Sequence, residues 1–310
     1  MRIGVVICSS ADLPRSFIEA NDLNIMPISL KFKDDVFVDD RDPVATQEYY
    51  RRYLIDKDMD AETAPFSVEQ IKDWFLDELV LKYDRVLVLS LMSSRSPIYD
   101  NAMKASFAIL RGYRQKRREA GVKGSFSLRV IDTKCLFTAE AAIAHEAVRL
   151  IREEKVGFDK LRPQIEELTK HAHGFLVPND LYYLRNVARK KGDKSLGLMK
   201  YLLAKGLDIK PIMCAHNGET FAHDKGKGFD ETVSKLFEQT KDAIDRGLRV
   251  PLVCMSYAGD PNVIKAREDY IDFVQHAENY GIHHTMAVMS TTAGVNLGPG
   301  AFSLGYITQD

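Results

Sequence analysis

This chain of 310 residues lacks the signatures of most common chemistries. It has four cysteines, Cys8, Cys135, Cys214 and Cys254, all far apart, and three of them sit in apolar runs. They read as reduced, packed thiols, not as disulfides or a metal site. No Gly-x-Gly-x-x-Gly follows the first apolar run and no P-loop occurs, so a dinucleotide or nucleoside triphosphate cofactor has no support. The eight histidines lack metal spacing: His171 and His173 are two apart, and His283 and His284 are adjacent. Neither pair has the four-residue interval that puts two imidazoles on one helix face, and no metal is expected. A Gly-x-Ser-x-Gly elbow is also absent, so nucleophilic catalysis is unsupported and no catalytic residue is assigned. No apolar stretch is long enough to span a bilayer, and Met1-Arg2-Ile3-Gly4-Val5-Val6 enters a strand without a signal peptide. Lys and Arg total 43 against 44 Asp and Glu, and a net charge of −1 argues against a general nucleic-acid binder. Arg111, Arg114, Lys116, Arg117 and Arg118 cluster with only Tyr113 interleaved, which reads as a solvated helix end. A cytoplasmic protein is the expectation.

What is present is a regular alternation. Apolar, β-branched runs predict strands over Ile3 to Ile7, Ile25 to Phe32, Val86 to Leu91, Ser127 to Ile131, Phe175 to Val177, Ile209 to Met213, Val250 to Ser256 and His284 to Met289. Helical periodicity predicts helices over Val68 to Lys82, Pro97 to Arg118, Ala139 to Glu154, Phe158 to His171, Asp230 to Arg246 and Val263 to Tyr280. The pattern is that of an α/β protein with mostly parallel sheets, and the length favours two domains. Two helices adjoin at Val156-Gly157 with no strand between them. The boundary is therefore set there: 1–156 forms an N-terminal α/β domain and 157–310 a C-terminal one.

Three hydroxyl-rich or glycine-rich turns stand out. Ser93-Ser94-Arg95-Ser96-Pro97-Ile98-Tyr99 follows a buried-strand run, with Ser96 as helix cap and Pro97 in the first helical position. Backbone donors of such a turn, at the carboxyl edge of a sheet, can meet a carboxylate or phosphate. Ser9-Ser10-Ala11-Asp12-Leu13-Pro14 is a second turn of this kind. Near the C-terminus, Gly298-Pro299-Gly300 allows close backbone approach. Ser67 and Gln70 have capping-box spacing, which leaves Thr63 without a capping duty and available to a shared anion.

Taken in order, these segments resemble the DegV family, bacterial fatty-acid-binding proteins that act as acyl-carrying subunits of a fatty acid kinase. The resemblance runs through Ser9 to Pro14, Pro27-Ile28-Ser29-Leu30, Thr63 to Val68, Ser93 to Tyr99, Ile131-Asp132-Thr133, Leu181-Tyr182-Tyr183-Leu184 with Arg189, Leu207 to Ile212, and Gly298-Pro299-Gly300-Ala301. It implies a long-chain fatty acid in a tunnel between two α/β domains, with the segment from about 290 to 310 contributing to the pocket. It also implies that Thr63, Ser96 and Asn296 hold the carboxylate. Ser9, Ser93, Ser94, Pro97, Gly298 and Gly300 would support them, and no cofactor is implied. Asn296 stands where the family has histidine, Cys8 where it has aspartate, and Lys227 where an arginine associated with kinase docking is expected. Arg189 and Lys227 would face the partner kinase or the incoming phosphate. Tunnel-lining candidates are Phe175-Leu176-Val177, Leu196 to Leu203 and Met286 to Met289, and transient membrane contact during lipid exchange is a further expectation.

Two other readings stay open. One is binding or conversion of a small polar metabolite on a scaffold like the dihydroxyacetone kinase substrate domain, which would need a pocket histidine such as His216. The other is a ligand-free interaction module.

Overall fold

The computed structural model describes residues 2–32, 35–52, 61–191 and 208–309. Leu196 to Leu203 lie outside the described residues. In chain order, β1 (Ile3–Cys8), α1 (Arg15–Ala20), β2 (Asn24–Met26), β3 (Ile28–Phe32), β4 (Asp35–Asp39) and α2 (Pro43–Arg52) come first. Then follow β5 (Ala61–Pro65), α3 (Val68–Trp74), β6 (Arg85–Ser90), α4 (Ile98–Ala108), α5 (Tyr113–Glu119), β7 (Ser127–Asp132) and α6 (Thr138–Arg152). The rest comprises α7 (Phe158–Leu168), β8 (Ala172–Val177), α8 (Leu181–Lys191), β9 (Ile209–His216), β10 (Glu219–Lys227) and α9 (Gly228–Arg246). It ends with β11 (Leu248–Tyr257), α10 (Asn262–Lys265), α11 (Glu268–Asn279), β12 (His283–Val288), α12 (Thr291–Leu297) and β13 (Phe302–Thr308).

The α/β class is as expected, and the first sheet, ordered β2-β1-β6-β7, is parallel throughout. Its central strands are apolar on both faces because helices cover both, as the continuous runs Val5-Val6-Ile7 and Val86 to Leu89 require. The second sheet departs from parallel pairing. Its order is β10-β9-β8-β13-β11-β12, and only β11 and β12 run parallel among its described strands. Two features reverse the direction. β10 returns from β9 through a tight turn with Asn217 at φ 46 and Gly218 at φ 84, and the C-terminal β13 inserts between β8 and β11. A small antiparallel sheet, β4-β3-β5, completes the set.

The single strand expected over Ile25 to Phe32 is two. Pro27 has no N–H to continue a ladder, so Asn24–Met26 pairs with β1 while Ile28–Phe32 leaves for the small sheet. The helix expected over Pro97 to Arg118 is likewise interrupted by a 3-10 turn at Ile109–Arg111 and by Gly112. The helix from Val68 passes into a π turn at Phe75–Leu79.

α6 joins the two large sheets. Twelve of its fifteen residues are buried, the signature of a helix without a solvent face. One apolar cluster contains Val5, Ile7 and Leu89 of the first sheet, Ala142, Ile143 and Ala147 of α6, and Val250, Leu252 and Ile307 of the second. Small residues make this close packing fit. Gly174 and Gly305 are cross-strand partners, and a β-carbon on Gly174 would lie 3.1 Å from the Leu136 carbonyl oxygen and 3.2 Å from the Ala139 β-carbon. The Val156-Gly157 junction falls in the loop between α6 and α7.

Candidate functional site

The Ser93–Tyr99 turn lies at the carboxyl edge of the first sheet, just past β6, and most of its polar groups are spent on protein. The Ser93 amide donates to the Asp132 carboxylate, at 3.3 and 3.4 Å to its two oxygens. The Ser94 hydroxyl donates to the Gly218 carbonyl at 2.7 Å, and Arg95 donates to the Thr220 hydroxyl. The β9-β10 hairpin of the second sheet thus clamps this turn from above. Ser96 differs from its neighbours: its Oγ accepts from the Ile98 N–H at 3.3 Å, a cap-type bond that leaves its own proton free to donate. The helix begins at Ile98, one residue later than expected, with Pro97 as its cap in helical conformation.

Thr63 lies in the middle of β5, opposite Leu30 on β3. The capping box forms as expected: Ser67 Oγ accepts from the Gln70 N–H at 3.3 Å, and Gln70 Oε1 accepts from the Ser67 N–H at 2.9 Å. Thr63 is half-buried, and its hydroxyl has no hydrogen-bond partner among the described residues. Asn101 on α4 donates to the Phe66 carbonyl at 2.8 Å, which ties the helix that follows Ser96 to the segment that carries Thr63.

Asn296 is half-buried on α12, and its Nδ2 donates to the Thr292 carbonyl one turn back at 2.6 Å. One amide proton and Oδ1 remain available. α12 is held by close approach. Gly294 leaves no room for a β-carbon against the Tyr50 ring, and Gly298, at φ 86, lies against Tyr183. The Gly300 N–H donates to the Ala258 carbonyl at 2.8 Å. α12 packs on β5 and on α8, so Thr63, Asn296 and Arg189 are carried by neighbouring elements. Met92, Ile98, Leu181, Tyr183, Val295 and Leu297 from these elements belong to one apolar cluster with Leu176 and Met213 of the second sheet. Arg189 is exposed on α8. Lys227 is exposed at the end of β10, an edge strand, and its N–H donates to Glu231 at 3.2 Å.

The Ser9–Asp12 turn is built into the interior instead. Ser9 Oγ accepts from the Ile28 N–H at 3.1 Å, and Ser10 donates to Glu140 at 2.9 Å. Fully buried Asp12 accepts from Ser256 Oγ at 2.6 Å, from the Ser290 N–H at 2.8 Å and from Arg41 at 3.2 Å. Burial pushes the Asp12 carboxyl above its ordinary range, and Arg41 opposes that push. Arg41 also donates to the carbonyls of Leu13 and Val288, at 3.0 and 3.1 Å. Asp39 accepts from the Thr292 N–H at 2.9 Å and its hydroxyl at 2.8 Å. This hub fixes the entry of α12, and so the helix that carries Asn296. Pattern reading missed it because its members are scattered along the chain. The one local signal was an aspartate inside the first serine-rich turn. Burial drives the Glu140 carboxyl well above its usual range, and Cys8 is a fully buried thiol pushed strongly up by the same desolvation.

His216 stacks on His173 with ring centroids 4.0 Å apart, and its Nδ1 lies 2.9 Å from the Ala172 carbonyl oxygen. Burial and the adjacent imidazoles lower His173 to about 4. His216 is thus packed into the β8-β9 pair. Among the described residues there is no group of three or more His, Cys, Asp or Glu able to hold a metal ion. No described helix is long and apolar enough to cross a membrane.

Two large sheets thus meet across α6, and the elements that carry the Thr63 and Ser96 hydroxyls adjoin one apolar cluster. A family model described as an uncharacterised protein, DegV family COG1307, matches residues 2–309. A DegV domain-containing protein of Xanthomonas axonopodis pv. citri is 41% identical over 309 residues, covering 100% of this chain and 98% of that one. The chain belongs to the DegV family. A fatty acid-binding protein of Thermotoga maritima is 22% identical over 269 residues, covering 86% of this chain and 85% of its own. The solved structure of a stearic acid-binding protein from Eubacterium ventriosum superposes with a TM-score of 0.78 at 21% identity, covering 99% of this chain and 98% of that one.

Proposed function

We propose that the protein is a carrier that binds one long-chain fatty acid and presents its carboxylate to a fatty acid kinase for acyl-phosphate formation, without catalysing a reaction itself. The observation that carries this reading is the pairing of two uncommitted hydroxyl donors, on Thr63 and Ser96, with an apolar cluster shared by both halves of the molecule. The fatty acids named for the Thermotoga and Eubacterium relatives support it. Each methylene removed from water contributes roughly 0.8 kcal/mol, so a long acyl tail supplies on the order of 10 kcal/mol before ordering losses. The hydroxyls then need only orient and select the head group.

In this reading Thr63, Ser96 and Asn296 donate to the carboxylate. An asparagine in the third place supplies a neutral N–H where a histidine could supply a cation, so head-group binding here depends less on pH. Ser93, Ser94, Pro97, Gly298, Gly300 and Ser9 shape the turns, while Arg189 and Lys227 face the kinase.

Native mass spectrometry of the purified protein, then titration of delipidated protein with stearate, tests the proposal. A one-to-one adduct of fatty-acid mass is the expected result, and protein that neither carries nor takes up fatty acid refutes the carrier reading. Hydrogen bonds to a charged group contribute about 1.5–3 kcal/mol each, so combining Thr63→Ala with Ser96→Ala should weaken stearate binding by about a hundredfold or more. Unchanged affinity in that double variant would show that the carboxylate is held elsewhere.

A further inference from the structure

The proposed fatty-acid site uses the carboxyl edge of the first sheet, whereas a separate cavity lies at the amino edge. It measures about 600 Å³. Four cationic side chains line it: Arg2 at the start of β1, Lys82 ahead of β6, Arg152 at the end of α6, and Lys155 in the loop to α7. The single lining carboxylate is Asp22, already engaged by Lys82 at 2.8 Å and by the Tyr83 hydroxyl at 2.9 Å. The Lys82 hydrogen bond in particular holds Asp22 below the ordinary carboxylate range.

Asp84 and Glu154 are similarly committed. Asp84 is bonded by Arg117 at 3.0 Å and by the Arg2 N–H at 2.9 Å, and Glu154 by Arg149 at 2.7 Å. Arg2 and Arg152 each give one Nη2 bond to a backbone carbonyl, at 3.2 and 3.4 Å. Neither they nor Lys155 makes an ion pair among the described residues. Lys155 is fixed in a tight turn: its φ is 55, and the following Val156 N–H donates to Leu150 at 2.9 Å. Ile3, Ile151 and Val156 supply an apolar floor beside the cations. Three unpaired cations around a roomy cleft with one neutralised acid make a local positive field on a chain whose net charge is −1.

We propose that this cleft binds a phosphate-bearing small molecule, either a nucleotide or a free polyphosphate, across the loop that joins the two halves of the chain. The guanidinium forks of Arg2 and Arg152 suit bidentate contact with phosphate oxygens, Lys155 adds a point charge, and the apolar floor fits an organic body.

Isothermal titration calorimetry at low salt, with ATP and separately with inorganic pyrophosphate, tests this on the full chain. Saturable binding of at least one probe is expected, weakened about tenfold or more by combined Arg152→Glu and Lys155→Glu and weakened again as salt rises. Binding of both probes at similar strength supports the polyphosphate form, and binding of ATP alone supports the nucleotide form. No saturable binding of either probe overturns the proposal, as does equal affinity in the double variant. Both substituted side chains are exposed. Arg162→Glu combined with Lys265→Glu, both exposed and outside the cavity lining, changes net charge by the same amount and serves as the control, and an equal loss of affinity in that variant would also overturn it. No fatty acid enters the measurement, so the two proposed sites fail or stand separately.

Discussion

Two serine-rich turns at the carboxyl edge of the same parallel sheet have opposite fates. The Ser9–Asp12 turn after β1 is sealed: every named polar group in it meets protein, and its aspartate anchors Arg41, Ser256 and the start of α12. The Ser93–Tyr99 turn after β6 is clamped at Ser93, Ser94 and Arg95 but keeps a hydroxyl proton free at Ser96. Composition does not separate them. What separates them is whether buried partners from distant elements arrive to use every polar group, as Glu140, Arg41, Ser256 and Ser290 do at the first turn.

The largest effect that should break this contrast comes from Arg41→Met. Removing one member of a buried ion pair leaves Asp12 uncompensated, at a loss of about 3–5 kcal/mol in chemical denaturation. A loss below about 1 kcal/mol would mean that the hub does not hold the sealed turn. Glu140→Gln sharpens the contrast through pH. The folded-state value of Glu140 is raised above its ordinary 4.5, so its favourable contribution is complete below that value and is lost as pH rises toward the raised one. The variant lacks that loss, and its stability relative to the native chain should grow as pH rises from about 5 through the neutral range. A difference that stays flat over that range would show Glu140 ionised in the fold. Ser94→Ala should have the smallest effect. It removes one partly exposed hydrogen bond to Gly218, about 0.5–1.5 kcal/mol, and should leave stearate affinity unchanged. A large loss of affinity would make Ser94 a ligand donor and erase the difference from Ser96.

Much of the first sheet is legible in the chain because its strands are continuous apolar runs, and the Ser67–Gln70 capping box marks where α3 begins. The second sheet is less so. β10 reads as a polar loop because it is an edge strand with little to bury, and β13 carries Gly305 in its middle, where α6 presses close. α12 has only seven residues, and its glycine and two threonines disfavour a helix until Tyr50, Asp39 and Tyr183 close around it. Thr63 could be singled out because the capping duty falls to Ser67, and Ser96 because it sits in a hydroxyl-rich turn just past a buried strand. The hub could not, since Asp12 and Ser290 are 278 positions apart. Arg41 is a surface residue by every local criterion, yet it is almost completely buried.

The position of β13 bears on how the chain is made. The last described strand is an interior strand of the second sheet, and that sheet supplies one wall of the packing around α6. During synthesis, α6 emerges more than a hundred residues before β13, and the part of its alanine-rich surface that β13 covers stays open until then. Nascent chains therefore pass through a long interval with part of an apolar helix exposed, and a truncation that removes β13 would prolong that interval indefinitely.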